Sequence, residues 1–221
     1  SADVDGFDDQ YYFGRRANGF YIPRYRNIGK DKRDYIRGFG YQGSASRQGW
    51  SSAIAELSIG ADLKNAVTKP GKWTVGMGGF GEILPYHENF VVINKEKKDK
   101  YGLPTLTFDA VLRDNEFKMR KDMAADAAEM LEASGFKNVK TSDREIGIGL
   151  GIHEMGTARM GKDPKTSVLN KWNQVHACKN VFVTDGSFMT SAACHNPSLG
   201  YMAFTARAVD YAVSELKKNN I

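Results

Sequence analysis

The sequence predicts an α+β fold in which an antiparallel sheet is combined with helices. Residues 73–84 and 105–112 show the apolar runs and the apolar–polar alternation of strands. Residues 115–134 and 197–216 instead repeat apolar residues at helical spacing. A short turn at 85–89 directly follows the first of these strands, and such a turn favours antiparallel pairing.

Composition is that of an ordinary globular protein. The 221 residues suffice for one large or two small domains, the 41% apolar content permits a core, and 26% of the residues are charged. The dense charge run at 95–100 also contains acids, so we interpret it as a solvated turn and expect no nucleic-acid partner. No run approaches the ~20 apolar residues of a membrane span. The cellular location stays open.

The first third of the chain mixes irregular and strand-like segments. Residues 1–29 interleave aromatic residues with arginines, which can stack bases. Aromatics packed on a sheet with arginines at its rim are the commoner arrangement, and Pro23 favours irregular structure. Residues 35–43 alternate enough to form a strand, and 44–59 contribute further core residues. Residues 60–71 fit either a helix or a loop.

A glycine pattern at 76–81 formally matches G-x-G-x-x-G, but its context argues against a dinucleotide-binding loop. Such a loop needs a helix directly after it. Here Pro85 follows within four residues, and no helical period develops. We therefore interpret residues 73–84 as a strand that pairs across the turn with a second strand at 90–94.

The middle of the chain predicts a half-buried strand followed by a long helix. Residues 105–112 alternate apolar and polar side chains. The helix over 115–134 has a capping residue in Asp114 or Asn115. Gly135 suits the position just after its end, where the backbone turns left-handed.

The end of the chain predicts a glycine-lined segment, a histidine and a second long helix. Residues 145–152 place large apolar side chains on one side and glycines on the other, which lets a backbone or a flat ligand approach. His153 follows directly. Asn196 is a suitable N-cap and Pro197 a suitable first helical residue, and this helix start favours an anion or a developing oxyanion. The predicted apolar face consists of Leu199, Met202, Ala203, Ala206, Val209, Val213 and Leu216.

The same region carries an ordered set of motifs: HEMGTARMG at 153–161, VFVTDG at 181–186 and HNPSLGYMAF at 195–204. Together they resemble the C-terminal signature of the glucose–methanol–choline (GMC) family of FAD-dependent oxidoreductases. Earlier segments, FGEILPYHEN at 80–89 and DKYGLPTLTFDA at 99–110, are similar to the sugar- and polyol-oxidising, gluconate-dehydrogenase-like branch of that family. Practically the whole chain takes part in the resemblance.

The resemblance implies a domain organisation and a cofactor. Family members are much longer and begin with a Rossmann-type G-x-G-x-x-G that binds FAD, which this sequence lacks. We therefore expect residues 1–150 to form a substrate-binding domain. Residues 151–221 are expected to be the remnant that completes the FAD-binding, Rossmann-like domain and the active site. FAD is the expected cofactor of the full-length protein, and a missing N-terminal FAD-binding half is the expected partner. The isolated chain is expected to lack FAD and to be inactive.

The family pattern also implies residue roles. His153 matches the histidine that takes the hydroxyl proton while the substrate carbon passes a hydride to flavin N5. Asn196 matches the second active-site position, which hydrogen-bonds the alcohol oxygen. Histidine suits this work because it titrates near neutral pH as a residue type. The implied cofactor-binding positions are Asp185, Gly186, Asn196, Pro197 and Ser198. The substrate is expected to be an alcohol, a sugar or a sugar derivative, and the electron acceptor stays open.

Other readings compete with this one. A metal site would draw on His176, Cys178, Cys194 and His195, but these fit no common zinc spacing. His153-Glu154 lacks the second histidine of a metalloprotease motif, and no G-x-S-x-G is present for a serine hydrolase. Asn196 alone is compatible with a simple cap, and His195 beside it competes for the second catalytic position. The main alternative is a non-catalytic carbohydrate-binding module derived from the same family.

Overall fold

The computed structural model describes residues 1–4, 19–47, 60–67, 72–143, 147–191 and 193–221. They belong to two compact units: Ser1–Gly81 with Phe117–Arg144, and Glu82–Glu116 with Glu145–Ile221. Antiparallel sheets and helices occur together, so the α+β prediction is confirmed. The division into a substrate-binding part and a cofactor-completing part stays a prediction, because compactness does not identify what a residue binds.

The first unit contains a four-stranded antiparallel sheet in the order β1-β4-β3-β2. Its strands are β1 (Ala2–Val4), β2 (Gly19–Ile22), β3 (Phe39–Arg47) and β4 (Trp73–Gly81). The glycine pattern at 76–81 therefore lies inside a paired strand, as predicted. The strand predicted at 35–43 begins four residues later, at Phe39. Predictions for residues 5–18 and 48–59 lie outside the described residues.

The predicted pairing of the glycine-rich strand with residues 90–94 is wrong. β4 pairs instead with β1 and with β3, where the register runs without interruption from Phe39↔Gly81 to Arg47↔Trp73. The glycines of β4 have a packing role, because a Cβ on Gly81 would lie 2.8 Å from the Cε of Met119 in the following helix. A bare strand lets the methionines of a helix pack directly on the sheet.

Two helices complete the first unit: α1 (Ala61–Val67) and most of α2 (Asp114–Ala133). The helix predicted over 115–134 is thus confirmed. It ends as expected, because Gly135 has φ 84° and the amide of Phe136 donates to the carbonyl of Leu131 over 3.1 Å. One core cluster consists of Tyr35, Phe39, Tyr41 and Met119.

A largely buried polar network ties β3 and the segment before it to α2. Three tyrosine hydroxyls donate to two carboxylates of the helix: Tyr25 and Tyr41 to Asp126, and Tyr35 to Asp122. Asp126 is 6% exposed and also pairs with Arg26, whose Nη2 lies 2.5 Å from Oδ1. Burial and the hydrogen bond to Asp126 raise the pKa of Tyr41 above its ordinary value.

The second unit is built from short strands and one long helix. These are β5 (Phe90–Lys98), β6 (Pro104–Asp109), β7 (Gln174–Val175), β8 (Cys178–Phe182), a 3₁₀ turn (Gly186–Phe188) and α3 (Ser198–Lys217). β5 and β6 form an antiparallel ribbon, as do β7 and β8. No helix among the described residues is long and apolar enough to cross a membrane.

Burial in this unit differs from expectation at three places. The strand predicted at 105–112 is observed over Pro104–Asp109, three residues short of its predicted end. Its apolar side is exposed: Phe108 is 70% and Leu106 58% accessible. A two-stranded ribbon offers no second layer for that face. Residues 147–152 form turns, and Ile152 is 87% exposed, so the two-faced segment predicted at 145–152 is not observed in its described part.

The third difference concerns the face by which α3 packs. The helix itself is confirmed, but the apolar row predicted to be packed is exposed. Leu199 is 80% and Met202 69% exposed to solvent. An inner row packs instead: Tyr201, Phe204, Ala208 and Tyr211. Tyr211 stacks on the ring of Trp172 at 4.7 Å. Flat aromatic contacts, not the most regular aliphatic spacing, determine the packed face.

Candidate active site

Two loop segments of the second unit are joined by backbone hydrogen bonds. The amide of Ala158 donates to the carbonyl of Ser187 over 3.0 Å, and the amide of Met160 donates to that of Phe188 over 2.9 Å. The HEMGTARMG motif therefore lies alongside the turn that follows the VFVTDG run.

Phe188 attaches these paired segments to α3. Its side chain is fully buried, and its ring centroid lies 5.0 Å from that of Phe204 and 6.3 Å from that of Tyr201. Both partners lie in the first two turns of the helix. The start of α3, and Asn196 just before it, are thereby brought to the segment that His153 precedes.

His153 and Asn196 meet directly. Nε2 of His153 lies 2.8 Å from Oδ1 of Asn196, although 43 positions separate the residues in the chain. The sequence resemblance proposed these two residues as the catalytic pair, and the structure brings them together.

The predicted capping role of Asn196 is wrong. The N-cap of α3 is Pro197, and no side-chain hydrogen bond caps the helix. The physical reason is that the Asn196 side chain is turned towards His153 and cannot fold back over the helix start. Ser198 is the first helical residue.

The His153–Asn196 contact has a definite chemistry. An amide oxygen only accepts hydrogen bonds, so Nε2 must carry a proton in this arrangement. A half-turn of the Asn196 amide would instead present its NH₂ group to an unprotonated Nε2. The same two side chains can therefore form a hydrogen bond in either protonation state of Nε2.

The turn at Asp185 is capped and closely packed. Oδ1 of Asp185 accepts from the amide of Ser187 over 2.8 Å, which caps the 3₁₀ turn. A Cβ on Gly186 would lie 2.6 Å from the hydroxyl oxygen of Tyr201 and 3.3 Å from the carbonyl of Glu154. Only glycine fits this position without displacing those groups. Burial, followed by the negative charges of Asp185 and Glu154, raises the pKa of Tyr201.

The start of α3 presents hydrogen-bond donors. The first backbone bond at this end runs from the amide of Tyr201 to the carbonyl of Pro197 over 3.0 Å. The amides of Ser198, Leu199 and Gly200 precede it and so have no acceptor inside the helix. A Cβ at Gly200 would meet nothing within 4 Å, so the backbone there is open to a ligand.

The residues of the rival sites are arranged differently. Nε2 of His176 lies 3.1 Å from Oγ of Ser167 and 3.2 Å from the carbonyl of Gly161, which are contacts within a loop. Cys178 is exposed and Cys194 buried, and both are free thiols. Within the described part of the chain, no group of three or more His, Cys, Asp and Glu side chains is placed to hold a metal ion.

Sequence reasoning missed the residues that hold the site together. Phe188 and Tyr201 were not singled out, and neither was Glu154, whose Oε1 accepts from the amide of Gly151 over 2.8 Å. The spacing of Tyr201, Phe204, Ala208 and Tyr211 was the available signal, because it is as helical as the aliphatic row.

Comparisons with known proteins give a consistent picture. The family model described as GMC oxidoreductase matches residues 85–205, more than half of the chain. The 2-methyl-1,2-propanediol dehydrogenase of Mycolicibacterium austroafricanum is 37% identical over 60% of this chain and 24% of its own length. The fructose dehydrogenase large subunit of Gluconobacter japonicus is 27% identical over 81% of this chain and 32% of its own. The gluconate 2-dehydrogenase flavoprotein of Pantoea cypripedii is 28% identical over 63% and 24%. The chain thus spans at most about a third of these relatives.

Proposed function

The chain belongs to the GMC oxidoreductase family, and from that membership we propose that it is the C-terminal part of an FAD-dependent enzyme that oxidises a CH–OH group. The expected substrate is a sugar or a sugar derivative. One observation carries the proposal: His153 and Asn196 form a 2.8 Å pair beside the start of α3.

The relatives' names support the reaction class. They describe dehydrogenases of a diol, of fructose and of gluconate, and two further relatives are called pyranose 2-oxidase. A CH–OH group is common to all of these compounds. The diol dehydrogenase has the higher identity, whereas the fructose dehydrogenase subunit covers more of this chain.

The residues at the start of α3 fit a flavin. The free amides of Ser198 to Gly200 and the positive end of the helix dipole suit the carbonyl and anionic edge of the ring system. Together with the family pattern, these amides support Asp185, Gly186, Asn196, Pro197 and Ser198 as the proposed cofactor contacts. When bound, FAD would supply the hydride acceptor.

His153 and Asn196 handle the proton that must leave together with the hydride. The alcohol oxygen approaches the pair and replaces their mutual hydrogen bond. In the tautomer that carries its proton on Nδ1, His153 has a free Nε2, which takes the hydroxyl proton. The Asn196 amide, turned by half a rotation, donates from Nδ2 to the oxygen. Asn196 does not titrate, so it can hold the oxygen before and after the proton has moved.

An exposed apolar row on α3, its outer row, supports the proposal that another part of the full-length protein covers this helix. We define this row as Leu199, Met202, Val209, Val213 and Leu216, which are 80%, 69%, 52%, 44% and 61% exposed. A continuous apolar row of this length is unusual on a free surface. The relatives contain two thirds or more of their length beyond the matched part. We propose that the FAD-binding half of the full-length protein covers the row, and that the chain alone is inactive.

The test is flavin reduction in the full-length flavoprotein. His153→Ala should slow reduction by roughly 10²–10⁴-fold, the usual contribution of a general base. Asn196→Ala should slow it less, and His176→Ala is the matched control that should leave the rate unchanged. Wild-type rates in the His153 variant would remove it from the mechanism. Sugar binding without any flavin reduction in wild type would instead favour the carbohydrate-binding module.

A further inference from the structure

Glu82 is a buried carboxylate in the unit that contains the His153–Asn196 pair. It is only 6% exposed, and the hydroxyl of Ser191 donates to its Oε1 over 2.5 Å. The contact joins positions 109 residues apart in the sequence. Carboxyl groups are rarely buried unless polar partners replace water, so this hydrogen bond is costly to lose.

Ser191 stands between the two halves of the candidate site. It follows Phe188, which anchors the Asp185 turn, and it precedes Asn196 by five positions. A hydrogen bond at Ser191 therefore holds a residue that lies close to Asn196 in the chain.

Ala193, two positions after Ser191, has a strained backbone. Ala193 has φ 56°, in the left-handed region that residues with a Cβ rarely adopt. Such a conformation persists only where surrounding contacts enforce it. Ser191 is held by Glu82 on one side, and Cys194, which is 2% exposed, is buried on the other. These two anchors bracket Ala193 and direct the chain into Asn196.

We propose that Glu82 is a positioning residue: through Ser191 it fixes the connection that places the Asn196 amide against Nε2 of His153. The catalytic meaning of this placement rests on the proposed function, whereas the placement itself is a property of this chain. Glu82 acts through Ser191, so its effect should appear in the geometry of the pair.

Glu116 provides a matched control in the same unit. It is 1% exposed and accepts from the amide of Leu84 over 3.1 Å, from the amide of Arg113 over 3.0 Å and from the hydroxyl of Tyr86 over 2.9 Å. It is therefore a buried, hydrogen-bonded carboxylate like Glu82, but its partners lie outside the connection to Asn196. Losing it should cost stability without disturbing the pair.

The experiment is NMR on this chain with ¹⁵N-labelled histidine. The ring ¹⁵N shifts report which nitrogen of His153 carries the proton, and nuclear Overhauser effects (NOEs) report the distance to the Asn196 amide protons. His153→Ala assigns the signals. Wild type should show the Nε2–H tautomer and a His153–Asn196 NOE. Glu82→Ala and Ser191→Ala should lose the NOE and shift the tautomer ratio roughly three- to tenfold, the equivalent of one hydrogen bond.

Two variants separate positioning from stability. The Nε2–H tautomer and the His153–Asn196 NOE together are the wild-type signature. Glu82→Gln keeps an oxygen that can accept from Ser191, so it should retain this signature. Glu116→Ala should keep the signature while lowering the unfolding midpoint. A folded Ser191→Ala or Glu82→Ala chain with the wild-type tautomer and NOE would overturn the positioning role. If Glu116→Ala also lost the signature, the effect of Glu82 would be one on overall stability and not on the position of Asn196. A wild-type chain without the signature would contradict the pair itself, and the positioning role with it.

Discussion

The polar groups of the two units do different work. In the first unit, Asp126 is buried and receives two tyrosine hydroxyls and an arginine. In the second, His153 and Asn196 share a single hydrogen bond with each other. Three donors already occupy the buried Asp126 carboxylate, whereas the one bond between His153 and Asn196 is replaceable, as the proposed function requires.

Apolar surface is distributed just as unequally. The first unit packs its sheet and α2 around Phe39 and Tyr41, which are 0% and 1% exposed. The second leaves the outer row of α3 and one face of the β5–β6 ribbon in solvent. The first unit therefore packs its sheet and helix around a buried aromatic core, and the second contains the proposed catalytic pair together with exposed apolar surfaces.

The largest effect is expected from Asp126→Ala. The change leaves the largely buried guanidinium of Arg26 without the carboxylate that lies 2.5 Å away, and Tyr25 and Tyr41 lose an acceptor. The free energy of unfolding should therefore fall by about 3–5 kcal/mol. Urea unfolding followed by tyrosine fluorescence measures this change.

Asp34→Ala is the control, since Asp34 is 74% exposed and lies 3.7 Å from Nζ of Lys118. Its loss should cost less than about 1 kcal/mol. Equal losses in both variants would show that the Asp126 network adds nothing beyond a surface ion pair.

Phe188→Ala is expected to have the next largest effect on stability. This side chain is fully buried against Tyr201 and Phe204, and its removal should destabilise the second unit by about 3 kcal/mol. Thermal unfolding checks the change. Phe108→Ala, at a site 70% exposed, should stay within about 0.5 kcal/mol. If Phe108→Ala were the more damaging change, the ribbon and not the Phe188 contact would hold this unit.

A smaller, context-dependent effect is expected in the outer row of α3. Met202→Gln should change the stability of this chain by less than about 0.5 kcal/mol, because the side chain is 69% exposed. In the full-length flavoprotein the same change should cost about 1.5–3 kcal/mol, since the side chain would be buried there. Chemical denaturation of both forms measures the difference, and an equally small effect in both would contradict a covered row.

The smallest effect concerns pH at the end of α3. Hydrogen bonds from Lys218 and then Asn220 lower the pKa of Glu215. Because this pKa is lowered in the folded chain, the ionised Glu215 stabilises the end of α3 fully above the ordinary carboxyl pKa. That stabilisation is lost as the pH falls through the folded-state pKa. The protection of the last-turn amides against exchange, relative to the unfolded chain at the same pH, should therefore fall below about pH 4. Glu215→Gln should remove this acid-dependent step, and a step that persists in that variant would assign it to another group.

Regular segments could be predicted from the sequence because their signals are local. The strand at Trp73–Gly81 and the helices at Asp114–Ala133 and Ser198–Lys217 follow from alternation, helical period and a terminal glycine. Strand pairing is not local: β4 pairs with β3, whose residues lie some thirty positions earlier, and nothing in a single strand specifies its partner.

The family resemblance identified the candidate site residues, but it did not identify the residues that surround and hold them. The motif pattern proposed His153 and Asn196, while helix-capping rules assigned Asn196 a bond that its contact with His153 replaces. Glu82 carried no signal, because its partner Ser191 lies far away in the sequence and only the fold joins them. Residue types in a motif indicate chemistry, but the residues that hold them in place are set by long-range packing.

The central claim is that His153 and Asn196 act on the same alcohol hydroxyl, and a double-mutant cycle on flavin reduction in the full-length protein tests it directly. Groups that act as a unit are strongly non-additive. The account predicts that His153→Ala with Asn196→Ala is about as slow as His153→Ala alone. Independent effects that multiply in the double variant would contradict it.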